Sequence, residues 1–271
     1  FDGTQSFAAG AAIKNYKWSV IQPKGSVSTF TPNTTAPKVV FTPNVAGDYT
    51  FQLTVTDADG KNSCAPGIKV VHVLPDQAIH VELLWNTPAD KDQTDEGPDA
   101  GSDMDLHFAH PYATMTDADK DGVPDPWFSD AYDCYWYTCA TSAGKDLEWG
   151  SYDPNVDDNP HLDRDDTDGG GPENMNLTLP QDEKTYAVGV HYFKDHGFGA
   201  STATVKIYIF GELMWEKTST SMLPGDFWYA AQVAWPNTEI CSVTSPGPST
   251  CQGGQPGNTL FITPKYPTPP L

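Results

Sequence analysis

Residues 47–57, Gly47-Asp48-Tyr49-Thr50-Phe51-Gln52-Leu53-Thr54-Val55-Thr56-Asp57, decide the fold class of the first part of the chain. Apolar side chains fall at every second position from Tyr49 to Val55, and polar side chains lie between them. This period of two is typical of a β-strand with one buried face. Asp59-Gly60 favours a tight turn, and residues 68–73 then predict the returning strand. The pattern indicates an antiparallel β fold.

Segments on both sides of this strand resemble one known family. Phe1-Asp2-Gly3-Thr4, Tyr16-Lys17-Trp18 and Ala46-Gly47-Asp48-Tyr49 occur in order, followed by residues 53–60. Together they resemble a polycystic-kidney-disease (PKD) type domain. The resemblance implies an immunoglobulin-like β-sandwich over residues 1–75, of the kind that serves as a spacer or an adhesive module in extracellular proteins.

The sequence differs from the family at its start, because the family has a further strand before the position that matches Phe1. A sandwich without an edge strand exposes unpaired backbone and part of its core. Three explanations stay open: the strand has been truncated, it is unnecessary, or another subunit supplies it by strand addition.

The second part of the chain predicts another sandwich. Apolar strand patterns recur at residues 79–85, 103–108, 186–193, 203–210, 212–217 and 228–235, separated by long acidic segments. We therefore predict an all-β protein with two tandem antiparallel β-sandwiches, immunoglobulin-like at 1–75 and jelly-roll-like at 78–236. Residues 237–271 are rich in Pro, Gly and Ser and predict an extended C-terminal tail, either a linker or a segment that docks on a neighbouring subunit.

The charge of the chain is concentrated in the second sandwich. The formal net charge is −21, and 23 of the 36 acidic residues lie between Asp90 and Glu173. Such a chain cannot neutralise phosphates, which argues against nucleic acid as a partner. It also lacks an apolar run long enough for membrane insertion. Concentrated carboxylates need a counter-charge to fold, and divalent cations supply it.

The clearest metal motif lies at residues 117–125. Carboxylates at alternate positions followed by Gly122 let a short loop wrap a hard cation with oxygen ligands. The motif resembles the DxDxDG calcium repeats of thrombospondin type 3 and related bacterial surface proteins, and Phe128 stands where an EF-hand has its Glu. The alternative is a solvated acidic turn. The predicted ligands here are Asp117, Asp119, Asp121, Val123 and Asp125.

Two further acidic clusters predict more calcium, so that several Ca²⁺ ions are expected. The second cluster cannot form a regular helix or strand, and its alternative is a disordered acidic loop. Its predicted ligands are Asp157, Asp158, Asp163, Asp165, Asp166, Asp168 and Glu173. The predicted ligands of the third cluster are Asp90, Asp92, Asp103 and Asp105. His107 and His191 also allow a mixed histidine and carboxylate site for a transition metal, although no short histidine spacing supports it.

The remaining motifs favour an extracellular, non-catalytic protein. Five cysteines predict the disulfides Cys134–Cys139 and Cys241–Cys251 and leave Cys64 over, which indicates an oxidising compartment. The chain contains no nucleophile elbow, P-loop or dinucleotide fingerprint, so we expect no enzyme. Three tryptophans in the acidic region are either packed beneath the loops or in contact with a glycan: Trp127, Trp136 and Trp149.

Several segments of the second part also resemble an uncharacterised group of bacterial secreted surface proteins. They are Asp103-Met104-Asp105-Leu106-His107, Cys134-Tyr135-Trp136, Asp163-Arg164-Asp165-Asp166, Gly171-Pro172-Glu173-Asn174 and Val188-Gly189-Val190-His191-Tyr192. We predict a secreted or cell-surface protein, stabilised by calcium, with a structural or adhesive role. It would contact copies of itself through its terminal strands and form a filament, or contact a cell-surface ligand. The alternative is a calcium-dependent carbohydrate-binding module.

Overall fold

The computed structural model describes residues 1–94, 97, 99–120, 122–140, 147, 149–153, 155–244 and 260–268. The chain divides into two compact units, Phe1–Leu74 and Pro75–Leu271. None of the described helices has the length and apolar character of a membrane span.

The first unit contains five strands: β1 (Ile13–Ile21), β2 (Phe30–Thr31), β3 (Val40–Phe41), β4 (Gly47–Asp57) and β5 (Gly67–Val73). Three of them form an antiparallel sheet in the order β1-β4-β5, and β2 pairs with β3. The long alternating strand β4 is central in the larger sheet, because it pairs with β1 on one side and with β5 on the other.

The core of the first unit is aromatic and lies between its two sheets. Trp18 of β1 and Tyr49 and Phe51 of β4 pack with Phe30 of β2. Phe41 of β3 meets Phe51 edge-on, with 5.0 Å between the ring centroids. The Tyr49 hydroxyl lies in this core and donates a hydrogen bond to the carbonyl of Val45 (2.8 Å). Burial of the alternating face therefore holds the two sheets together.

The second unit begins with β6 (Ile79–Asn86), β7 (Asp103–Ala109), β8 (Asp133–Cys134), the four-residue helix α1 (Trp136–Cys139), β9 (His161–Arg164) and β10 (Glu173–Leu177). It continues with β11 (Lys184–Lys194), β12 (Thr202–Ile209), β13 (Glu212–Thr218), β14 (Phe227–Trp235), β15 (Glu239–Ser242) and β16 (Phe261–Thr263). One sheet has the order β13-β12-β6-β10-β9. The other has the order β15-β14-β11-β7-β8, and β16 also pairs with β14.

One apolar core fills the space between the two sheets of the second unit. Val81 and Leu83 of β6 come from the first sheet, and Leu106 and Phe108 of β7 come from the second. Trp228 of β14 is fully buried in the same cluster. The architecture is an antiparallel β-sandwich, so the predicted all-β fold class is confirmed.

The segment after residue 237 differs from the extended tail predicted from its composition. Two described parts of it are strands of the second unit, because β15 and β16 both pair with β14. Tyr266 follows β16 and is buried against Phe128 and Phe227. The apolar residues of β16 and Tyr266 are therefore bound to their own chain.

Disulfides link parts of the second unit. Cys134 and Cys139 are bonded and close a short loop around α1, as predicted. Cys241 is disulfide-bonded, and Cys251, its predicted partner, lies outside the described residues. Cys64 is a free, exposed thiol.

Candidate metal centre

The outer face of β7 carries the polar side chains of the candidate site. Met104, Leu106 and Phe108 point into the core, so the intervening residues Asp103, Asp105 and His107 share the opposite face. All three are nevertheless buried, because other segments cover this face of the sheet.

An acidic cluster forms where β7 meets the start of β10. Carboxylate oxygens of Asp105, Asp165 and Glu173 lie within 4.8 Å of one another. Glu173 is fully buried, and its Oε2 accepts a hydrogen bond from the backbone N–H of Leu106 (2.6 Å). Its Oε1 accepts from the N–H of Asp166 (3.4 Å). These contacts fix one carboxylate group between two segments that are remote in sequence.

Close backbone contact brings a further loop to this cluster. A Cβ atom at Gly101 would lie 2.3 Å from the backbone nitrogen of Gly169, so only glycine fits. Trp85 Nε1 donates to the carbonyl of Gly169 (2.8 Å), and the N–H of Gly97 donates to Asp168 Oδ2. The loop before β7 and the loop before β10 are thereby joined beside the carboxylates.

The electrostatics of the cluster disfavour charge on its own carboxylates. Burial raises the pKa of Asp103, Asp105, Asp165 and Glu173, and neighbouring carboxylates raise three of these further. Burial also raises the pKa of Asp166 from its ordinary value to about 7.

Protein cations offset only part of this cost. Arg164 contacts Asp166 Oδ2 at 3.0 Å and lowers its pKa in part. Asp103 Oδ1 is buried and has no hydrogen-bond partner within the described chain. An oxygen-seeking cation placed here would stabilise the ionised form of every member of the cluster.

The DxDxDG loop also brings its carboxylates together. Oxygens of Asp117, Asp119 and Asp125 lie within 4.8 Å of one another. Asp117 Oδ2 accepts from the N–H of Gly122 (2.9 Å), and Asp125 Oδ2 accepts from the N–H of Ala118 (2.7 Å). These turns place three of the predicted ligands in one group. Asp121 lies outside the described residues, and Val123 lines a neighbouring cleft.

Other predicted ligands make hydrogen bonds within the protein and lie outside the carboxylate groups found among the described residues. Asp90 and Asp92 accept from backbone N–H groups two residues ahead. Asp157 is exposed and bonds His161 (3.0 Å). Asp158 is buried and accepts from the N–H of Ser151 (2.6 Å), while Asp163 accepts from an amide nitrogen of Asn176.

The structure places two histidines beside the same cluster. Ligand atoms of Asp105, His107 and His191 lie within 4.8 Å of one another. Burial lowers the pKa of His191 to about 4, so this imidazole is neutral near pH 7. Asp133 approaches His107 Nδ1 to 2.7 Å. Sequence reasoning missed Asp133, because only the pairing of β8 with β7 brings it to this face.

The three tryptophans differ in their surroundings. Trp149 is 1% exposed and stacks on Tyr186 in the main core, which leaves no face for a sugar. Trp127 is also buried, although it lines a cleft of about 620 Å³ beside Asp119 and Asp125. Trp136 is half-buried on α1. This burial favours the interpretation that the tryptophans support the loops from beneath.

Comparison with known proteins identifies one part of the chain. Residues 1–67 match the family model described as K319L-like, PKD domain. The first unit therefore contains a PKD-like domain, and this part of the predicted resemblance is confirmed. No curated protein and no solved structure matches the chain.

Proposed function

We propose that this is a non-catalytic extracellular structural or adhesive protein whose second unit is stabilised by calcium. One observation carries the proposal: two buried carboxylates, Asp105 and Glu173, converge with the exposed carboxylate of Asp165 at one point. Without a bound cation, ionised carboxylates in such a group lower the stability of the folded state. A bound cation turns the same group into a stabilising link between β7 and the segments around β10.

The ligand atoms suit calcium. Every candidate ligand atom in the two carboxylate groups is an oxygen, and Ca²⁺ accepts six to eight oxygens in an irregular shell. A second group at Asp117, Asp119 and Asp125 adds a loop site of the same chemistry. Calcium would act by fixing these loops to the sandwich, and no step of catalysis is assigned to it.

The PKD-like unit supports the structural or adhesive role. Its strand β5 is at the end of the sheet order and pairs, among the strands described, with β4 alone. Ile68 and Val70 on β5 are 63% and 55% exposed. An edge strand with exposed apolar residues is suited to pairing with a strand of another copy. In the proposed filament, the copies therefore contact one another through the edge of β5, because the C-terminal strand β16 is paired with β14 of its own chain.

The disulfides fit an extracellular location, since such bonds persist in oxidising compartments. The proposed ligand on the cell surface is another copy of the chain or a surface component, with neither nucleic acid nor membrane insertion involved.

Electron microscopy tests this function. In calcium the full chain is expected to form filaments that dissolve in chelator and re-form when calcium is restored. Val70→Lys on the free edge of β5 should prevent assembly without changing calcium content, whereas Leu223→Lys, an equally exposed position (57%) in the second unit, should not. Monomers under all these conditions would contradict the filament form.

A second candidate is a calcium-dependent carbohydrate-binding module. The cleft of about 620 Å³ favours it, because Asp119 and Asp125 lie beside the aromatic side chains of Trp127, Tyr229 and Tyr266. Aromatic faces next to a bound calcium can hold a sugar ring. Glycan-array binding by a monodisperse monomer, lost in Tyr229→Ala, would support this candidate over the filament.

A further inference from the structure

Two neighbouring strands bring one carboxylate and two histidines onto the same face of a sheet. β7 and β11 are antiparallel, and their register pairs Asp105 with His191 and His107 with Gly189. Asp105 and His107 are two residues apart on β7, so their side chains point the same way. The sequence interval of 84 residues between the two histidines hides this arrangement from any search for a short motif.

The three side chains are close and excluded from water. Their ligand atoms lie within 4.8 Å of one another, and the residues are only 3%, 0% and 2% exposed for Asp105, His107 and His191. His191 Nδ1 lies 3.3 Å from Asp105 Oδ2. Two ligands of one tetrahedral ion with bonds of about 2.0–2.1 Å are separated by about 3.3 Å, so this spacing fits ligation as well as a weak hydrogen bond.

Both histidines carry a buried nitrogen without a partner. Nε2 of His107 and Nε2 of His191 make no hydrogen bond within the described chain. A buried polar atom of this kind costs free energy unless something satisfies it. His191 faces Asp105 with Nδ1, so the unpartnered nitrogen that points to a bound ligand beside this carboxylate is Nε2 of His107.

A buried carboxylate fixes the ring of His107. Asp133 Oδ2 lies 2.7 Å from His107 Nδ1 and also accepts from the N–H of Phe128 (2.6 Å). An Nδ1–H that donates to this carboxylate leaves the lone pair of Nε2 free. Metal-binding histidines in proteins are typically oriented by a carboxylate in this way.

Aromatic rings enclose the group. Tyr135 stacks on His107 with 4.8 Å between ring centroids, and Phe128 meets it edge-on at 4.7 Å. Phe227 contacts both histidines. Gly189 makes room for this packing, because a Cβ atom there would lie 2.6 Å from the Phe227 ring. An enclosed site with nitrogen ligands is unsuited to calcium, which prefers oxygen.

We propose that Asp105, His107 and His191 bind one first-row transition-metal ion, with Zn²⁺ the expected occupant, and that Asp133 positions His107 for it. Imidazole nitrogen with carboxylate is a ligand set that Zn²⁺ accepts readily. The ion would join β7 to β11, with three of its four positions filled by these side chains and the fourth left to a water molecule. This site goes beyond the proposed calcium function, because its ligands and its metal are different.

Asp105 belongs both to this group and to the acidic group of Asp165 and Glu173. A change at Asp105 would therefore affect both sites, and the two histidines are the residues that separate them.

The test is a titration of the full chain with Co²⁺, a coloured substitute for Zn²⁺. The protein is stripped of metal, saturated with excess Ca²⁺, and then titrated. We expect one equivalent to bind with the intense visible bands of a four-coordinate site, and Zn²⁺ to abolish them. The wild-type chain alone can overturn the proposal: no saturable Co²⁺ binding in excess Ca²⁺, or only the weak bands of a six-coordinate oxygen site, would refute it.

Variants assign the ligands. His107→Phe and His191→Phe keep an aromatic ring in the cluster and should each abolish the bands, while His72→Phe on exposed β5 should not. Asp133→Asn should weaken binding about 10- to 100-fold at unchanged stoichiometry. Bands that survive both histidine changes would also refute the site.

The same experiment separates this site from the calcium proposal. Asp165→Asn should lower calcium stoichiometry and retain the Co²⁺ bands. Wild-type protein that binds Co²⁺ but no calcium would support this inference while contradicting the proposed function, and loss of Co²⁺ binding in Asp165→Asn would overturn the inference.

Discussion

Asp166→Asn tests whether the acidic cluster is costly without metal. The pKa of Asp166 is raised to about 7 in the folded protein against an ordinary value of 3.8. Because the folded state then binds more protons between these values, this group contributes stability at low pH that is lost as pH rises toward 7.

The magnitude follows from the two pKa values. Between pH 7 and pH 5 in calcium-free buffer, protonation of Asp166 should stabilise the folded state by about 2 kcal/mol. The amide of the Asp166→Asn variant cannot titrate, so the wild type should gain about 2 kcal/mol more than the variant over this change. The buried histidines oppose the gain in both proteins equally, and their effect cancels in the comparison.

The assay is urea unfolding followed by tryptophan fluorescence. Seven of the eight tryptophans lie in the second unit and report on it. The difference corresponds to roughly 4–8 °C in Tm for a unit of this size. Asp182→Asn removes the same formal charge at an exposed position and is the matched control.

Calcium should reverse the sign of this difference in stability between the wild type and Asp166→Asn. In saturating calcium Asp166 is held ionised near the bound ion, so protons compete with the metal and the wild type should lose more stability than Asp166→Asn between pH 7 and pH 5. Equal pH dependence of the two proteins without calcium would refute the reasoning.

Other changes test the loops and the packing. Asp117→Ala with Asp119→Ala should lower calcium stoichiometry by about one ion and leave the unfolding of the first unit unchanged, measured by mass spectrometry and calorimetry. Gly189→Ala should destabilise the second unit by about 1–3 kcal/mol, because its methyl group would overlap an aromatic ring; denaturant unfolding measures this, and an unchanged midpoint would contradict the packing. Cys139→Ala should cost about 2 kcal/mol by opening the loop to Cys134, and addition of reductant should then have no further effect on this loop.

The strand pattern of the sequence was sufficient for the fold class. Alternation from Tyr49 to Val55 reflects burial of one face of β4 against aromatic residues, and this signal is local. The C-terminal segment shows where composition misleads. Its prolines favour an extended chain. In the structure, however, Phe261–Thr263 pair with β14 and Tyr266 packs against Phe227. Both partners are remote in sequence, so composition does not reveal them.

The candidate site was also predictable only where its residues are close together in sequence. Spacing alone grouped Asp117, Asp119 and Asp125, since they lie in one loop. The group of Asp105 with Glu173 depends on how two sheets meet, which leaves no pattern in a single sequence. His107 and His191 were candidates because each lies in a predicted strand, but only the strand register shows that they share a face with Asp105.

Calorimetry of the full chain with and without calcium tests the central claim most directly. A ligand that binds only the folded state stabilises it by about 2.7 kcal/mol for each site at roughly 100 times its Kd. Two carboxylate sites therefore predict a fall of roughly 10–20 °C in the Tm of the second unit on calcium removal, with the transition of the first unit unchanged. An unchanged Tm together with no tightly bound calcium in the purified protein would contradict the account.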